Sequence, residues 1–162
     1  MDVFSVPDLP EVREGDDLAA LVAERVDLRG EGAAGPPDVL VVASTVVSKA
    51  EGRTPDLEAF PAGPRAKEIA SRLEAISGEE KDPRFAQAVL EESTEVVMEA
   101  PFLLTETRFG HVGVNAGIDR SNVPDHDLLL LPERPTASAE RIRANLPVDV
   151  PVVVTDTCGR PF

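Results

Sequence analysis

The sequence predicts an α/β (mixed α+β) fold, in which covering helices lie on a mixed sheet. Two features predict it: short apolar runs of strand length and, between them, segments in which apolar residues recur at helical spacing. The 162 residues suffice for one compact unit without disulfides, and the chain contains no internal repeat and no low-complexity tract. We therefore expect an ordinary globular domain.

The first half of the chain is expected to alternate between strands and helices. Residues 2–6 predict a short strand, and the polar residues 15–17 predict the cap of the helix that follows. A stretch rich in glycine and proline, residues 30–37, then precedes residues 38–43. The continuous apolar run in residues 38–43 is typical of a strand buried on both faces.

The second half is expected to contain two covering helices, several strands and a final helix. Apolar spacing predicts the two helices within residues 69–76 and 85–96, after a loop over residues 55–64. Runs of β-branched and other apolar residues predict the strands. The predicted strands are residues 102–106, 112–115, 128–131 and 150–155, and the final helix is residues 138–146.

The charge of the chain argues against several classes of partner. With 30 acidic and 16 basic residues, the formal net charge is -14, which repels nucleic acid and anionic membranes. Only 4% of the residues are aromatic, so base-stacking surfaces are not expected either. Small-molecule substrates are favoured. The acidity also suggests a host with a salt-rich cytoplasm, where charges are screened over about 3 Å at roughly 1 M salt.

Cysteine content and hydropathy favour a reducing, cytoplasmic location. Cys158 is the single cysteine, so neither an intramolecular disulfide nor a multi-cysteine metal site is expected. No apolar run approaches the ~18 residues of a membrane span, and the N-terminus lacks the pattern of a signal peptide. We expect a protein with neither a nucleic-acid nor a membrane partner.

Residues 115–122 form the first candidate site. The segment follows a predicted strand and places amides, a carboxylate and a hydroxyl around Gly117, which lacks a Cβ and permits close approach of the backbone. Hard divalent cations prefer such oxygen ligands, and Asp119 is the natural ligand. The same composition is also typical of an ordinary Asx-type turn, and composition alone does not decide between the two.

Asp156, Thr157 and Arg160 form the second candidate site. They follow the predicted strand 150–155, and α/β sheets bind ligands at the carboxyl ends of their strands. The two acidic strand ends are therefore expected to share a pair of metal ions. The alternative for Asp156 is a helix N-cap or a turn residue.

Ser44, Thr45 and Lys49 repeat this pattern after the predicted strand 38–43. Lys49 is one of three lysines in the chain, and an ammonium group neutralises the charge that develops on a transferred phosphoryl group. The alternative is a solvated surface lysine, the usual case for an isolated lysine. The chain contains no GxxxxGK[ST] motif, so a nucleotide would be held without a P-loop.

The remaining reactive side chains are weaker candidates. His111 enters a predicted strand without the spacing of a metal motif, which favours a structural role, with contact to a phosphate or substrate as the alternative. Cys158 has no evident histidine partner, so we assign it to packing instead of nucleophilic catalysis.

Six segments that span nearly the whole chain point to one family. They are Leu9-Pro-Glu-Val12, Ala43-Ser-Thr-Val-Val-Ser-Lys-Ala-Glu-Gly52, Thr107-Arg-Phe-Gly-His111, Asn115-Ala-Gly-Ile-Asp-Arg-Ser-Asn-Val123, residues 129–132, and Val152-Val-Val-Thr-Asp-Thr-Cys-Gly-Arg-Pro161. In this order they resemble the coenzyme F420-0:γ-glutamyl ligase family.

The resemblance implies a GTP-dependent ligase that adds L-glutamate to coenzyme F420-0 through γ-linked amide bonds, by way of an acyl phosphate. It also implies two divalent ions, Mg²⁺ or Mn²⁺, a K⁺ ion, and an intertwined homodimer. The residues expected to contact GTP are Leu9, Pro10, Glu11, Val12, Ser44, Thr45, Lys49 and Asn122. Asp119, Asp156 and Thr157 are expected to hold the metals, with Asp119, Asp156 and Lys49 as the catalytic residues. Arg160 is expected to clamp a phosphate or a substrate carboxylate.

The sequence departs from the family pattern at two points. Cys158 stands where relatives usually carry a bulky aromatic residue. The family pattern also continues beyond Phe162 with further nucleotide and metal contacts, so residues 1–162 are expected to be a ligase-like domain that is truncated at its C-terminus. The alternative function is a non-catalytic module of that family that binds GTP and metal.

Overall fold

The computed structural model describes residues 2–30, 32–121, 123 and 125–156. The length of the chain favours one compact unit, whereas the structure divides into two. Within the described ranges, the first consists of residues 2–53 and Pro132–Asp156, and the second of Thr54–Leu131. Along the chain, the second unit therefore interrupts the first.

In the part of the first unit that the structure describes, there are a two-stranded parallel sheet and three α-helices. Strand β1 (Leu40–Ala43) pairs with strand β5 (Val152–Thr155). The helices are α1 (Leu18–Ala23), α2 (Ser44–Ala50), which begins directly after β1, and α5 (Pro135–Asn145), which packs on β5. The buried cluster of this unit comprises Val12, Leu18, Ala19, Val22, Leu40, Val42, Val47, Ile142, Leu146 and Val150.

Local sequence features explain where two of these helices begin. The side chain of Asp17 accepts hydrogen bonds from the backbone N–H groups of Ala19 and Ala20, which confirms the predicted cap of α1. Pro135 lies in the first turn of α5, where its fixed φ suits the helix and its missing N–H breaks no helical hydrogen bond.

Two expectations for the first unit are wrong. Residues 2–6 form no strand, and Val3 is 84% exposed, so this segment has no buried face that would fix it in a sheet. Strand β1 is buried on one face only: Leu40 and Val42 are buried, whereas Val41 is exposed. The reason is that β1 belongs to a two-stranded sheet whose second face, which also carries Val153, is exposed.

The described residues of the second unit form an antiparallel sheet and two α-helices. Its strands, in the order β2-β3-β4, are β2 (Ser93–Met98), β3 (Leu104–Thr107) and β4 (Val112–Val114). Helix α3 (Pro64–Ser77) packs on helix α4 (Pro83–Glu91), which contacts β2. The buried cluster of this unit comprises Leu57, Phe60, Ala66, Ile69, Ala86, Ala88, Val89, Leu103, Ala116, Ile118, Leu128 and Leu130.

The predicted helix 85–96 is wrong beyond Glu91. Helix α4 ends there, and β2 begins at Ser93, so that Val96 lies opposite Thr105 of β3. The segment is rich in β-branched residues, and its pairing with β3 is a tertiary interaction that helical spacing alone does not reveal.

The predicted strand 128–131 is also wrong. All four residues are buried, but the segment contributes a single antiparallel bridge, between Asp119 and Leu129. Its apolar run therefore reflects packing in the core of the second unit, which periodicity cannot distinguish from a buried strand.

The predicted α/β class is confirmed, with parallel and antiparallel pairing in separate sheets. Within the described ranges, none of the helices has the length and apolar character that a membrane crossing requires. The homodimer stays a prediction.

Asp82 should give the stability of the second unit a pH dependence. It caps α4 by accepting a hydrogen bond from Arg84 N, and the Arg84 guanidinium, hydrogen-bonded to the same carboxylate, lowers the pKa of Asp82 below 3.8. A lowered pKa stabilises the fold above the unfolded value, and this contribution is lost as the pH falls through the folded value. Asp82→Ala should reduce the free energy of unfolding by about 1 kcal/mol near neutral pH, and the deficit should shrink below pH 3.8.

Urea unfolding of the wild type and the variant at a series of pH values measures this deficit. Asp82→Asn is the matched control, because asparagine keeps a capping oxygen but not the charge. A deficit that is independent of pH would contradict the role of the ion pair with Arg84.

Candidate functional site

The carboxyl ends of β1 and β5 lie side by side. The parallel register places Ala43 opposite Thr155, and the residues that follow them in the sequence are Ser44 and Asp156. Ser44 Oγ donates a hydrogen bond to Asp156 Oδ1 over 2.7 Å. The structure thus brings together two residues that the sequence assigned to a nucleotide and metal site.

The two partners differ sharply in exposure. Ser44 is 3% exposed and continues the inward-facing positions of Leu40 and Val42, whereas Asp156 is exposed. The buried hydroxyl therefore holds one oxygen of an exposed carboxylate. Among the described residues, Asp156 Oδ2 accepts no hydrogen bond, which leaves this oxygen available to a ligand.

A second contact joins Lys49 of α2 to the segment 9–12. Lys49 Nζ lies 3.4 Å from Glu11 Oε1, and the Lys49 side chain is only 22% exposed, so the predicted phosphate-binding lysine is not a fully solvated one. Val12 is buried in the core of the first unit. Any contact of Val12 with a nucleotide would therefore be made by its backbone.

Glu51 is a residue that the sequence analysis did not single out. Its carboxylate accepts hydrogen bonds from Ser138 Oγ and from the Arg141 guanidinium, which ties the end of α2 to α5. Glu51 and Arg141 also line a cavity of about 420 Å³ in the first unit. Glu51 lies in the segment Lys49-Ala-Glu-Gly52, which the sequence analysis did consider. The contacts of Glu51 were not predicted because its partners are about 90 residues away in sequence.

This cavity has a different chemical character from the strand ends. Among the described residues, its lining includes Asp16, Asp17 and Glu51 but only one cation, Arg141, and it contains no predicted site residue. An excess of carboxylates does not favour a phosphate group.

The loop that contains Asp119 belongs to the second unit. Asn115, Ala116 and Gly117 adopt left-handed φ values of 53°, 54° and 70°, an uncommon conformation for the first two residue types. Ala116 N donates to Thr105 Oγ1, which is fully buried and holds this turn. Such conformations persist where the surrounding structure enforces them, and they cluster at functional sites.

Asp119 is held locally within this loop. Its Oδ1 accepts hydrogen bonds from Ser121 N and Ser121 Oγ, over 2.8 Å and 2.7 Å. This is the Asx-type turn that the sequence left as the alternative. An Asx turn on one carboxylate oxygen does not exclude a metal on the other, so the role of Asp119 as a ligand stays a prediction.

Gly117 has a packing role within the second unit, and the predicted close approach of its backbone to a ligand stays a prediction. A Cβ at this position would lie 2.6 Å from Leu131 Cδ1, so the missing side chain makes room for a buried leucine of the same unit. Gly117→Ala is therefore expected to lower the free energy of unfolding by about 1–3 kcal/mol through overpacking and the positive φ. Chemical denaturation of the folded chain measures this loss.

Gly78→Ala is the matched control for Gly117→Ala. Gly78 has φ 73°, close to that of Gly117, but a Cβ there meets no atom within 4 Å. The control therefore shows the cost of the backbone conformation alone, and Gly117→Ala should exceed it. Equal losses in the two variants would mean that Leu131 moves aside at little cost.

Of the other predicted residues, Leu9, Pro10 and Thr45 lie in the first unit and His111 lies in the second. His111 lies in the β3-β4 turn, where its N–H donates to Thr107 Oγ1 and its carbonyl oxygen accepts from Thr107 N, which agrees with a structural role. Contact of its ring with a phosphate or substrate stays a prediction. Asn122, Thr157 and Arg160 lie outside the described residues.

The oxygen donors present fit a hard divalent cation. The described residues contain no group of three or more His, Cys, Asp or Glu side chains that could hold a metal. However, Mg²⁺ usually takes only one or two protein carboxylates and completes its octahedron with water and phosphate oxygens. Asp156, with one oxygen held by Ser44 and the other available, is a donor of this kind.

Comparison with known proteins identifies the family. A family model described as F420-0:gamma-glutamyl ligase matches residues 8–162. The chain belongs to this family. It is 72% identical over 162 residues to the coenzyme F420:L-glutamate ligase of Halorubrum lacusprofundi, and 67% identical over 162 residues to the protein of the same name from Halobacterium salinarum.

More distant members of the F420-0:gamma-glutamyl ligase family match equally completely. The coenzyme F420:L-glutamate ligase of Archaeoglobus fulgidus is 51% identical over 166 residues. In all three comparisons the alignment covers 100% of this chain and 62% of the relative. The chain thus spans less than two thirds of the length of these curated relatives.

Proposed function

We propose that this chain acts as a GTP-dependent ligase that adds L-glutamate to coenzyme F420-0 through a γ-linked amide bond. The observation that supports the proposal is the family match over residues 8–162, together with 72% identity to a protein named coenzyme F420:L-glutamate ligase. The hydrogen-bonded ends of β1 and β5 agree with it, because α/β sheets bind their ligands at such ends.

The proposed reaction has two steps. A carboxylate oxygen of the F420 precursor attacks the γ-phosphorus of GTP, and the bond between that phosphorus and the β,γ-bridging oxygen breaks, which releases GDP and forms an acyl phosphate. The amine of L-glutamate then attacks the acyl carbon, phosphate leaves, and the amine loses a proton as the amide forms. The first step is needed because the oxygen of a carboxylate is a poor leaving group, whereas the phosphate of the acyl phosphate is a good one.

In the proposed mechanism, Lys49 and Asp156 act on the triphosphate. The ammonium group of Lys49 binds the phosphate oxygens on which negative charge develops, and Asp156 supplies a carboxylate oxygen to a divalent ion. When bound, Mg²⁺ or Mn²⁺ supplies charge neutralisation at the phosphate oxygens. Asp119 and Thr157 are proposed as the further metal ligands, with a K⁺ ion in addition.

The remaining contacts are proposed from the family. Leu9, Pro10, Glu11, Thr45 and Asn122 are proposed to contact GTP, and Arg160 a phosphate or a substrate carboxylate. We also propose that the protein forms a homodimer and works in the cytoplasm.

The deciding experiment incubates the 162-residue chain with F420-0, L-glutamate, GTP and Mn²⁺ at high salt. Phosphate release should require both F420-0 and glutamate, and mass spectrometry should show F420-0 with one added glutamyl residue. Replacing GTP with ATP tests the nucleotide preference. The Halorubrum lacusprofundi relative, assayed in the same mixture, is the positive control.

Two outcomes would contradict the proposal. The first is glutamyl transfer that proceeds without any nucleoside triphosphate. The second is that the chain binds GTP but transfers no glutamyl group, in a mixture in which the Halorubrum lacusprofundi relative is active. That result would instead support a module that binds GTP and metal without catalysis.

A further inference from the structure

We infer that Ser44 is a positioning residue for Asp156: its hydroxyl fixes one carboxylate oxygen so that the other points toward the divalent ion. The inference rests on the proposed function, in which Asp156 is a metal ligand. It assigns to Ser44 a different task from the contact with GTP that the family resemblance implies.

The geometry that supports this inference begins with the sheet. The register of β1 and β5 pairs Leu40 with Val152 and Val42 with Val154, and Ser44 and Asp156 occupy the next position of this series. Ser44 is therefore fixed beside Asp156 by the pairing of two strands and by the helix that begins at Ser44. A partner that is fixed in this way orients a carboxylate better than a mobile surface side chain would.

The Ser44 hydroxyl carries a single hydrogen, which limits the hydrogen bonds that it can donate. A serine hydroxyl donates one hydrogen bond, and here Ser44 Oγ donates it to Asp156 Oδ1 over 2.7 Å. Phosphate oxygens of GTP only accept hydrogen bonds. While the bond to Asp156 exists, the Ser44 side chain has no hydrogen for a phosphate.

Burial adds to the effect of this bond. Ser44 is 3% exposed, so water competes little for its hydroxyl, whereas the exposed Asp156 would otherwise sample several rotamers. Hydrogen bonds that orient a ligating side chain typically change metal affinity by about 10- to 100-fold. We expect an effect of this size for Ser44.

Ser48 provides a matched control on the same helix. It lies one turn after Ser44, is 1% exposed, and its hydroxyl has no hydrogen-bond partner among the residues that the structure describes. Ser48→Ala therefore removes the same atom from a similarly buried site of α2 without touching Asp156. Ser44→Thr is the conservative variant, because threonine keeps the hydroxyl.

The experiment measures Mn²⁺ affinity without nucleotide, by electron paramagnetic resonance of the free ion, for the wild type, Ser44→Ala, Ser44→Thr and Ser48→Ala. Circular dichroism first confirms that each variant is folded. Ser44→Ala should bind Mn²⁺ about 10- to 100-fold more weakly, Ser44→Thr should recover most of the affinity, and Ser48→Ala should match the wild type.

The results distinguish this inference from the proposed function. Asp156→Asn is measured alongside the serine variants. Loss of Mn²⁺ binding in Asp156→Asn but not in Ser44→Ala would overturn the positioning role and leave the metal site intact. Unchanged Mn²⁺ affinity in both variants would overturn the metal site itself. A Ser44→Ala variant that loses affinity for GTP but not for Mn²⁺ would assign Ser44 to the nucleotide.

Discussion

Replacing Asp156 with asparagine is expected to weaken Mn²⁺ binding by more than about 100-fold. Asparagine has the same shape and keeps an oxygen that accepts the hydrogen bond from Ser44 Oγ, so the ends of β1 and β5 should keep their arrangement. The variant lacks the negative charge and the second oxygen, and hard divalent cations prefer anionic oxygen ligands. Because Asp156 is exposed, the free energy of unfolding should change by less than about 0.5 kcal/mol.

The control for this prediction is Asp149→Asn. Asp149 is also an exposed carboxylate of the first unit, but it pairs with Arg143 over 2.6 Å and precedes β5 instead of following it. Titration with Mn²⁺ should find wild-type affinity in the control. If Asp156→Asn also bound Mn²⁺ with wild-type affinity, Asp156 would not be a ligand. Asp119→Asn, measured in the same way, tests the ligand proposed in the second unit.

Most helices could be predicted because their signals are local. The cap at Asp17 and the apolar spacing in α3 each depend on residues within a few turns of one another. The strand β2 was missed because its stability comes from β3, across residues 99–103, and spacing within 85–96 could not reveal this partner. For the same reason the sequence did not predict that parallel and antiparallel pairs form separate sheets.

The sequence predicted which residues form the candidate site, but not the contacts between them. Side-chain chemistry after a strand selected Ser44, Lys49 and Asp156, and the structure places two of them in one hydrogen bond. The sequence expected the strand ends at residues 115–122 and at Asp156 to share a pair of metal ions, and this stays a prediction. It did not predict the strand partners, in which β4 pairs with β3 and β5 pairs with β1. Strand partners depend on the whole fold, which no local pattern specifies.

Lys49→Ala is expected to weaken GTP binding by about 10- to 100-fold, since a hydrogen bond to a charged group contributes about 1.5–3 kcal/mol. The ammonium group has three donors, and its one partner within the described part of the chain, Glu11, is largely exposed. Exposed ion pairs contribute only about 0.2–1 kcal/mol, so a phosphate can replace Glu11 at little cost. Binding of a fluorescent GTP analogue in the presence of Mn²⁺ measures the change.

Lys67→Ala is the matched control, because Lys67 is an exposed lysine of α3 that forms no ion pair with another described residue. Lys49 is only 22% exposed, so high salt should screen its interaction with a phosphate less than that of a surface lysine. The ratio of GTP affinities between wild type and Lys49→Ala should therefore persist as the salt concentration rises. A ratio near one would assign Lys49 to the solvated surface instead. So would a ratio that falls to one as the salt concentration rises, which is the behaviour expected of any effect of Lys67→Ala.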